Sequence, residues 1–227
     1  MEDSGMSAVS SVAEPQVQAR AAGIAYLITI AAGMFAEVYV RGSVRSGDPV
    51  ATAEHLRQLE SLYRLGVLAD GVMLISYVVV TAMLYALFKP VNAALSMLAA
   101  LFSAIGIAML TSAMAILLLP LVLQGSSIAF EALRVHGATY GLTGLFFGPY
   151  CVLIGWLALR SGWLPSWIGW LMMIAGVAFV LDASVELAAP AIARRIPDAV
   201  MLISLLAEGA LAIWLAVFGV RPTSRRE

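Results

Sequence analysis

Residues 64–88 read RLGVLADGVMLISYVVVTAMLYALF, and this run decides the class of the fold. As a helix its 25 residues would extend about 37 Å, more than the ~30 Å hydrocarbon core of a bilayer. Only Arg64 and Asp70 within it carry charge. Five other stretches reach the roughly 20 mostly apolar residues that a span needs: 21–41, 93–119, 136–159, 164–185 and 199–219. The sequence therefore predicts an all-α, polytopic membrane helix bundle of about six transmembrane helices. Composition agrees: 62% of residues are hydrophobic and 12% charged, against roughly 25% charged in a soluble domain. The expected partner is thus the lipid bilayer. A net charge of −1 offers no basic excess for nucleic acid. One cysteine, Cys151, excludes an internal disulfide framework and a multi-cysteine metal cluster.

The chain divides into a flexible polar tail (1–19), a single six-helix domain (20–220) and a basic C-terminal tail, RPTSRRE (221–227). Two connections are tight turns, Lys89-Pro90-Val91-Asn92 and Arg160-Ser161-Gly162-Trp163. Three are longer: 42–63, 120–135 and 186–198. Because spans alternate in direction, the long connections share one membrane face, and the tight turns share the other with both termini. The tight turns are basic without acids, which places that face in the cytoplasm. Trp156, Trp163, Trp167 and Trp214 form an interfacial belt on the same side. In the first long connection, Asp48-Pro49 reads as an N-cap followed by proline at the first helical position. The residues after it form a short amphipathic interfacial helix, or a lid over a cavity.

Charges inside spans are costly and mark functional candidates. Glu37 lies about 26 Å along span one from Arg20, and Asp70 about 9 Å beyond Arg64. Asp182 and Glu186 close span five, His136 opens span four, and Glu208 sits near the midplane of span six. All fall in the half of the bilayer under the long loops, which suggests a polar cavity open to that side. The candidate ligand- or proton-binding residues are Glu37, Arg41, Arg64, Asp70, His136, Tyr140, Asp182 and Glu208. Glu37 and Arg41 stand at i, i+4 and can pair. Arg64 is placed to neutralise Asp70 or Glu37, and Tyr77 lies two turns beyond Asp70 on the same face. Gly137, Gly141, Gly144 and Gly148 form small-xxx-small pairs. They suit packing within the chain or a homo-oligomer face. Pro149 is expected to kink span four.

The ordered set of Arg20, Gly23, Tyr26-Leu27, Gly33, Glu37, Asp48 and Ala51-Thr52 continues through Arg64, Asp70 and Tyr85 to Lys89-Pro90-Val91-Asn92. It ends in His136, Tyr140-Gly141 and Ser161-Gly162-Trp163-Leu164-Pro165. Together these resemble a bacterial family of integral membrane proteins known as domain of unknown function 4386. The resemblance covers most of the chain after residue 19. It implies an inner-membrane bundle of six or so helices, and no activity.

Three functions compete. The first binds or transports a small molecule, cationic in view of the carboxylates, or protons. The second is an intramembrane lipid-modifying enzyme using His136 with Asp70 or Asp182; the catalytic residues would otherwise be unknown, since no nucleophile motif, phosphate loop or HExxH is present. The third is a non-catalytic scaffold in which Glu37, Asp70 and Glu208 are all paired and no cavity exists. No cofactor or metal is expected.

Overall fold

Proline, asparagine, aspartate and glycine set where the helices stop and start. The computed structural model describes residues 3–123, 126–189 and 199–220, and the side chains of 15–123, 127–189 and 202–220. The C-terminal tail 221–227 and residues 190–198 of the third long connection lie outside these. The first helix, α1 (Asp3–Met34), passes into a wide π-helical segment (Phe35–Arg41) and a short α2 (Gly42–Val44). Next come α3 (Pro49–Gln58), α4 (Glu60–Phe88), α5 (Ala93–Ile116) and α6 (Leu119–Val122). Then follow α7 (Ser126–Leu142), α8 (Gly144–Ser161), α9 (Ser166–Ala188) and α10 (Ala199–Val217). The described residues contain no strand. The Asp48 carboxylate accepts the Ala51 N–H at 2.7 Å with Pro49 behind it, as its sequence position implies. Asn92 caps α5 the same way, accepting from Leu95 at 2.9 Å. Gly162 ends α8 at φ +67°, a conformation glycine adopts without a Cβ penalty.

Five helices are long and apolar enough to cross a membrane: Pro15–Val44, Glu60–Phe88, Ala93–Val122, Ser127–Ser161 and Ser166–Ala188. A sixth apolar stretch, Leu202–Val217, is shorter. The helices close a ring. α1 packs on α4, α4 on α5, α5 on α8, α8 on α9, α9 on α10, and α10 returns to α1. Outward faces are apolar: Leu68 is 68% exposed, Ile75 71% and Leu181 60%. Such a surface belongs in lipid.

The tightest seam lies between α8 and α9. A Cβ on Gly169 would fall 2.8 Å from the Gly155 carbonyl, and one on Gly144 the same distance from the Phe179 carbonyl. Gly148 faces Val180 and Gly176, and Gly141 faces the Glu186 carboxylate. Three of the four span-four glycines thus pack inside the chain, and α9 occupies the face expected for a homo-oligomer. Of the four, only Gly137 has nothing within 4 Å.

Two boundaries move. Span four was expected to begin at His136, but the helix runs from Ser126 and breaks at Thr143. There the Thr143 hydroxyl donates to the Tyr140 carbonyl at 2.6 Å, competing with helix bonding between two glycines of low helix propensity. Pro149 sits inside α8 rather than at that break. At the N-terminus, where a tail to residue 19 was expected, α1 is already helical from Asp3. Ala19 is fully buried. Gln16 donates to the Phe218 carbonyl at 3.0 Å and accepts the Val220 N–H at 2.9 Å.

Beneath the long connections a second apolar cluster joins Val44, Leu56, Tyr63, Leu117, Ala129 and Leu133. It fixes α3 against α7. The amphipathic helix therefore buries Thr52 and Leu56 on protein while Val50 stays 66% exposed.

Candidate functional site

Two polar layers occupy the bundle. The first is built where α1 meets α4. A Cβ on Gly66 would lie 2.7 Å from the Val40 side chain, so only glycine allows the two helices this approach. The next residue after Val40 is Arg41, and one turn after Gly66 comes Asp70; the close contact sets them opposite each other. The Arg41 guanidinium grips Asp70 through two bonds, Nη1 to Oδ2 at 2.6 Å and Nη2 to Oδ1 at 2.9 Å. Its Nε donates to Glu37 Oε2 at 2.5 Å. Arg41 is 1% exposed and Asp70 2%. Glu37 and Arg41 both belong to the π-helical segment, a geometry frequent at functional sites.

His136 completes this layer from α7. Its Nδ1 lies 3.0 Å from the Ala113 carbonyl and its Nε2 3.2 Å from Glu37 Oε2. A carbonyl can only accept, so Nδ1 carries a hydrogen. Its Nε2 faces the Glu37 carboxylate. Arg45 Nη2 also donates to Glu37 Oε1 at 2.9 Å. Two guanidiniums, Arg41 and Arg45, and two carboxylates, Glu37 and Asp70, thus meet in this layer beside the imidazole. Glu37 pairs with Arg41 as its i, i+4 spacing implies, and Asp70 takes Arg41 rather than Arg64 as its counter-charge.

The second layer surrounds Glu208. Tyr26 donates to Glu208 Oε2 at 2.8 Å, and the Cys151 thiol approaches Oε1 at 4.0 Å. No basic side chain pairs with Glu208 among the described residues. Tyr77 stacks between Phe147 at 5.0 Å and Tyr26 at 5.9 Å. The Tyr150 hydroxyl is buried without a hydrogen-bond partner at bonding distance. Along α1, Tyr26 precedes Glu37 by eleven positions, about 16 Å. Between the layers Met73 fills the space above Gly33, where a Cβ would fall 2.9 Å from its sulfur.

Tyr140 lies between the two layers. It is within electrostatic reach of Glu37, Arg41, Asp70 and Glu208, and its ring is 5.9 Å from His136. It shares the face of α7 with buried Ala129, Leu133 and His136, yet is 36% exposed. Glu208 likewise shares the face of α10 with buried Ser204, Ala207, Leu211 and Leu215 and is partly accessible.

Other expected residues lie elsewhere. Arg64 does not neutralise Asp70 or Glu37; it pairs with Glu60 on the exposed face at 2.8 Å, because its own helix turns it outward. His136 meets Glu37 rather than Asp70 or Asp182. Asp182 stands beside Glu186, outside both layers. A lateral groove at Leu98, Phe102, Pro149, Val152 and Val180 carries no charged side chain. Sequence reasoning passed over Arg45, Tyr26, Tyr150 and the placement of Cys151. Tyr26 carried a signal: eleven residues are close to three helical turns, so it shares a face with Glu37.

A family model described as a domain of unknown function, DUF4386, matches residues 21–219. No curated protein and no solved structure matches the chain.

Proposed function

The chain belongs to the DUF4386 family, and from that premise we propose that it admits a small cation, a proton or a protonated base, from its long-loop face to the carboxyl of Glu208. The observation that carries this reading is Glu208 itself. It is an acid on an inward helix face, without a basic partner among the described residues, that keeps accessible surface. Ionisable groups so placed line ion or substrate pathways. The His136–Glu37 pair lies toward the long-loop face, and Tyr140 reaches electrostatically toward Glu37 and Glu208. In this reading α10 is a sixth crossing. Its 19 residues would extend about 28 Å, and it completes the ring. The membrane is the bacterial inner membrane with both termini cytoplasmic. Lys89 over the Tyr85 ring and Arg160 over Trp156 support that side, since basic residues favour the cytoplasmic interface and aromatic rings mark an interface of either kind.

The test uses the purified protein in liposomes loaded with a pH-sensitive dye, with a potassium diffusion potential imposed. Proton flux above protein-free liposomes is expected, or methylammonium flux when that cation is supplied. Glu208→Gln should abolish it. Wild-type liposomes that stay at background for both cations, or unchanged flux in the variant, would overturn the reading. The scaffold reading keeps one observation in its favour, the buried Arg41–Asp70 clamp, and flux at background with normal folding would point to it.

A further inference from the structure

We infer that the cation taken at Glu208 is a bare proton, not an alkali metal ion and not an organic amine; this deepens the reading above and rests on it. An organic amine needs room for its carbon frame, and a quaternary ammonium an open aromatic face or a cage around its charge. Here the rings are closed on one another. Tyr26 is 0% exposed, Tyr150 1% and Tyr77 6%. Tyr77 lies nearly parallel to Phe147, at 9°, with Tyr26 on its other side.

A hard metal ion needs a shell of several oxygens, and in membrane bundles these come largely from carbonyls of unwound helix. The α1, α4 and α10 helices run unbroken past Glu208. The nearby Ala25 carbonyl is further occupied by the Thr29 hydroxyl at 3.0 Å and the Ser76 hydroxyl at 2.8 Å. The helix break at Thr143 lies on α7, and the π-helical segment is about three turns away along α1.

A proton needs only a lone pair and neighbours that can turn. Glu208 Oε2 is engaged by Tyr26, whereas Oε1 has the Cys151 thiol at 4.0 Å. The step is the addition of one proton from water to the carboxylate, giving a neutral carboxylic acid. Its new O–H needs an acceptor. The Tyr150 hydroxyl, buried beside that of Tyr26, with no partner at hydrogen-bonding distance among the described residues and within electrostatic reach of Glu208, can supply one. The groups that face Glu208 are Tyr26 from α1, Tyr77 from α4, Tyr140 from α7, and Tyr150 and Cys151 from α8. None of these is a base that would hold the acid permanently ionised. On α9, Asp182 and Glu186 stand beside each other, and Glu186 faces Gly141.

Infrared difference spectroscopy on the full chain in lipid nanodiscs tests this. Between acid and alkaline buffer, a protonated-carboxyl C=O band should appear that is missing in Glu208→Gln. At fixed pH the band should be indifferent to sodium, potassium and methylammonium. Tyr150→Phe and Tyr26→Phe should each shift its frequency, since each removes a hydroxyl beside the acid. A band that sodium or methylammonium displaces overturns the inference, as does the absence of any band dependent on Glu208. If Glu208→Gln does not fold, the tyrosine variants decide, and a band that neither shifts overturns it. A titrating band without flux in liposomes retires the transport reading alone and leaves the proton site standing.

Discussion

Asp70→Asn keeps the shape of the side chain and removes its charge from one side of a clamp in which both side chains are nearly water-free, at 2% and 3% relative exposure. Breaking a buried ion pair by neutralising one member costs about 3–5 kcal/mol. Glu37 remains bonded to Arg41 Nε, so the lower end, ~3 kcal/mol, is expected. For a chain of this size each kcal/mol moves the melting midpoint by about 2–4 °C, which gives a drop of roughly 6–12 °C. The chain carries its own reporter: Cys151 is the single cysteine and is fully buried. A thiol-reactive fluorophore added during heating in detergent will label it only as the bundle opens. The double variant Arg41→Met with Asp70→Leu removes both charges. It leaves Glu37 with Arg45 and His136. Replacing a buried pair by apolar groups is often neutral or stabilising by about 1–4 kcal/mol, so the double variant should melt higher than Asp70→Asn. If the single variant melts within about 2 °C of wild type, or the double variant melts lower than the single, the clamp is not the buried ion pair described.

His136→Asn can keep a hydrogen bond to the Ala113 carbonyl but has no second ring nitrogen for Glu37. Proton flux through dye-loaded liposomes should fall toward background while Cys151 labelling on heating changes little; flux at the wild-type level would remove the pair from the pathway. Gly155→Leu drives a side chain into the α9 backbone near Gly169. It should cost at least ~1–3 kcal/mol from overpacking, read as earlier Cys151 labelling. Gly71→Ala, with nothing within 4 Å of the new methyl group, should instead stabilise by about 0.5–1 kcal/mol, and a lower midpoint would contradict the open space there. In a Cys151→Ala background, cysteines at Gln58 and Lys89 should react with a membrane-impermeant maleimide from opposite sides; labelling from one side would break the alternation of spans.

How much was legible in advance depends on the range of the interaction. The run at 64–88 specified a membrane helix because hydrophobicity over 25 residues is a local sum. The Glu37–Arg41 pair was legible for the same reason, four positions being one turn. The caps at Asp48 and Asn92 are equally local. The partner of Asp70 was not legible. Arg64 is near in sequence, but its helix turns it outward to Glu60, whereas Arg41 arrives through the contact of Val40 with Gly66. His136 reaches Glu37 across 99 residues, and Glu208 reaches Tyr26 across 182; no spacing encodes either. The small-residue pairs in span four announced a close contact without saying with what, because glycine permits approach and does not choose the neighbour.

The sequence alone determined that the chain must live in lipid, roughly where its helices run, and that ionisable groups crowd beneath the long connections. Each of these follows from the free energy of transferring a segment or a charge into hydrocarbon, a property of the segment itself. Tertiary structure decided which of those charges are held by a counter-charge and which is not. Arg41, Arg45 and His136 close around Glu37 and Asp70. Glu208 is left to four tyrosines and a thiol among the described residues. Electrostatic pairing falls off over a few ångströms, and only the folded ring of helices brings residues so distant in the chain within that range.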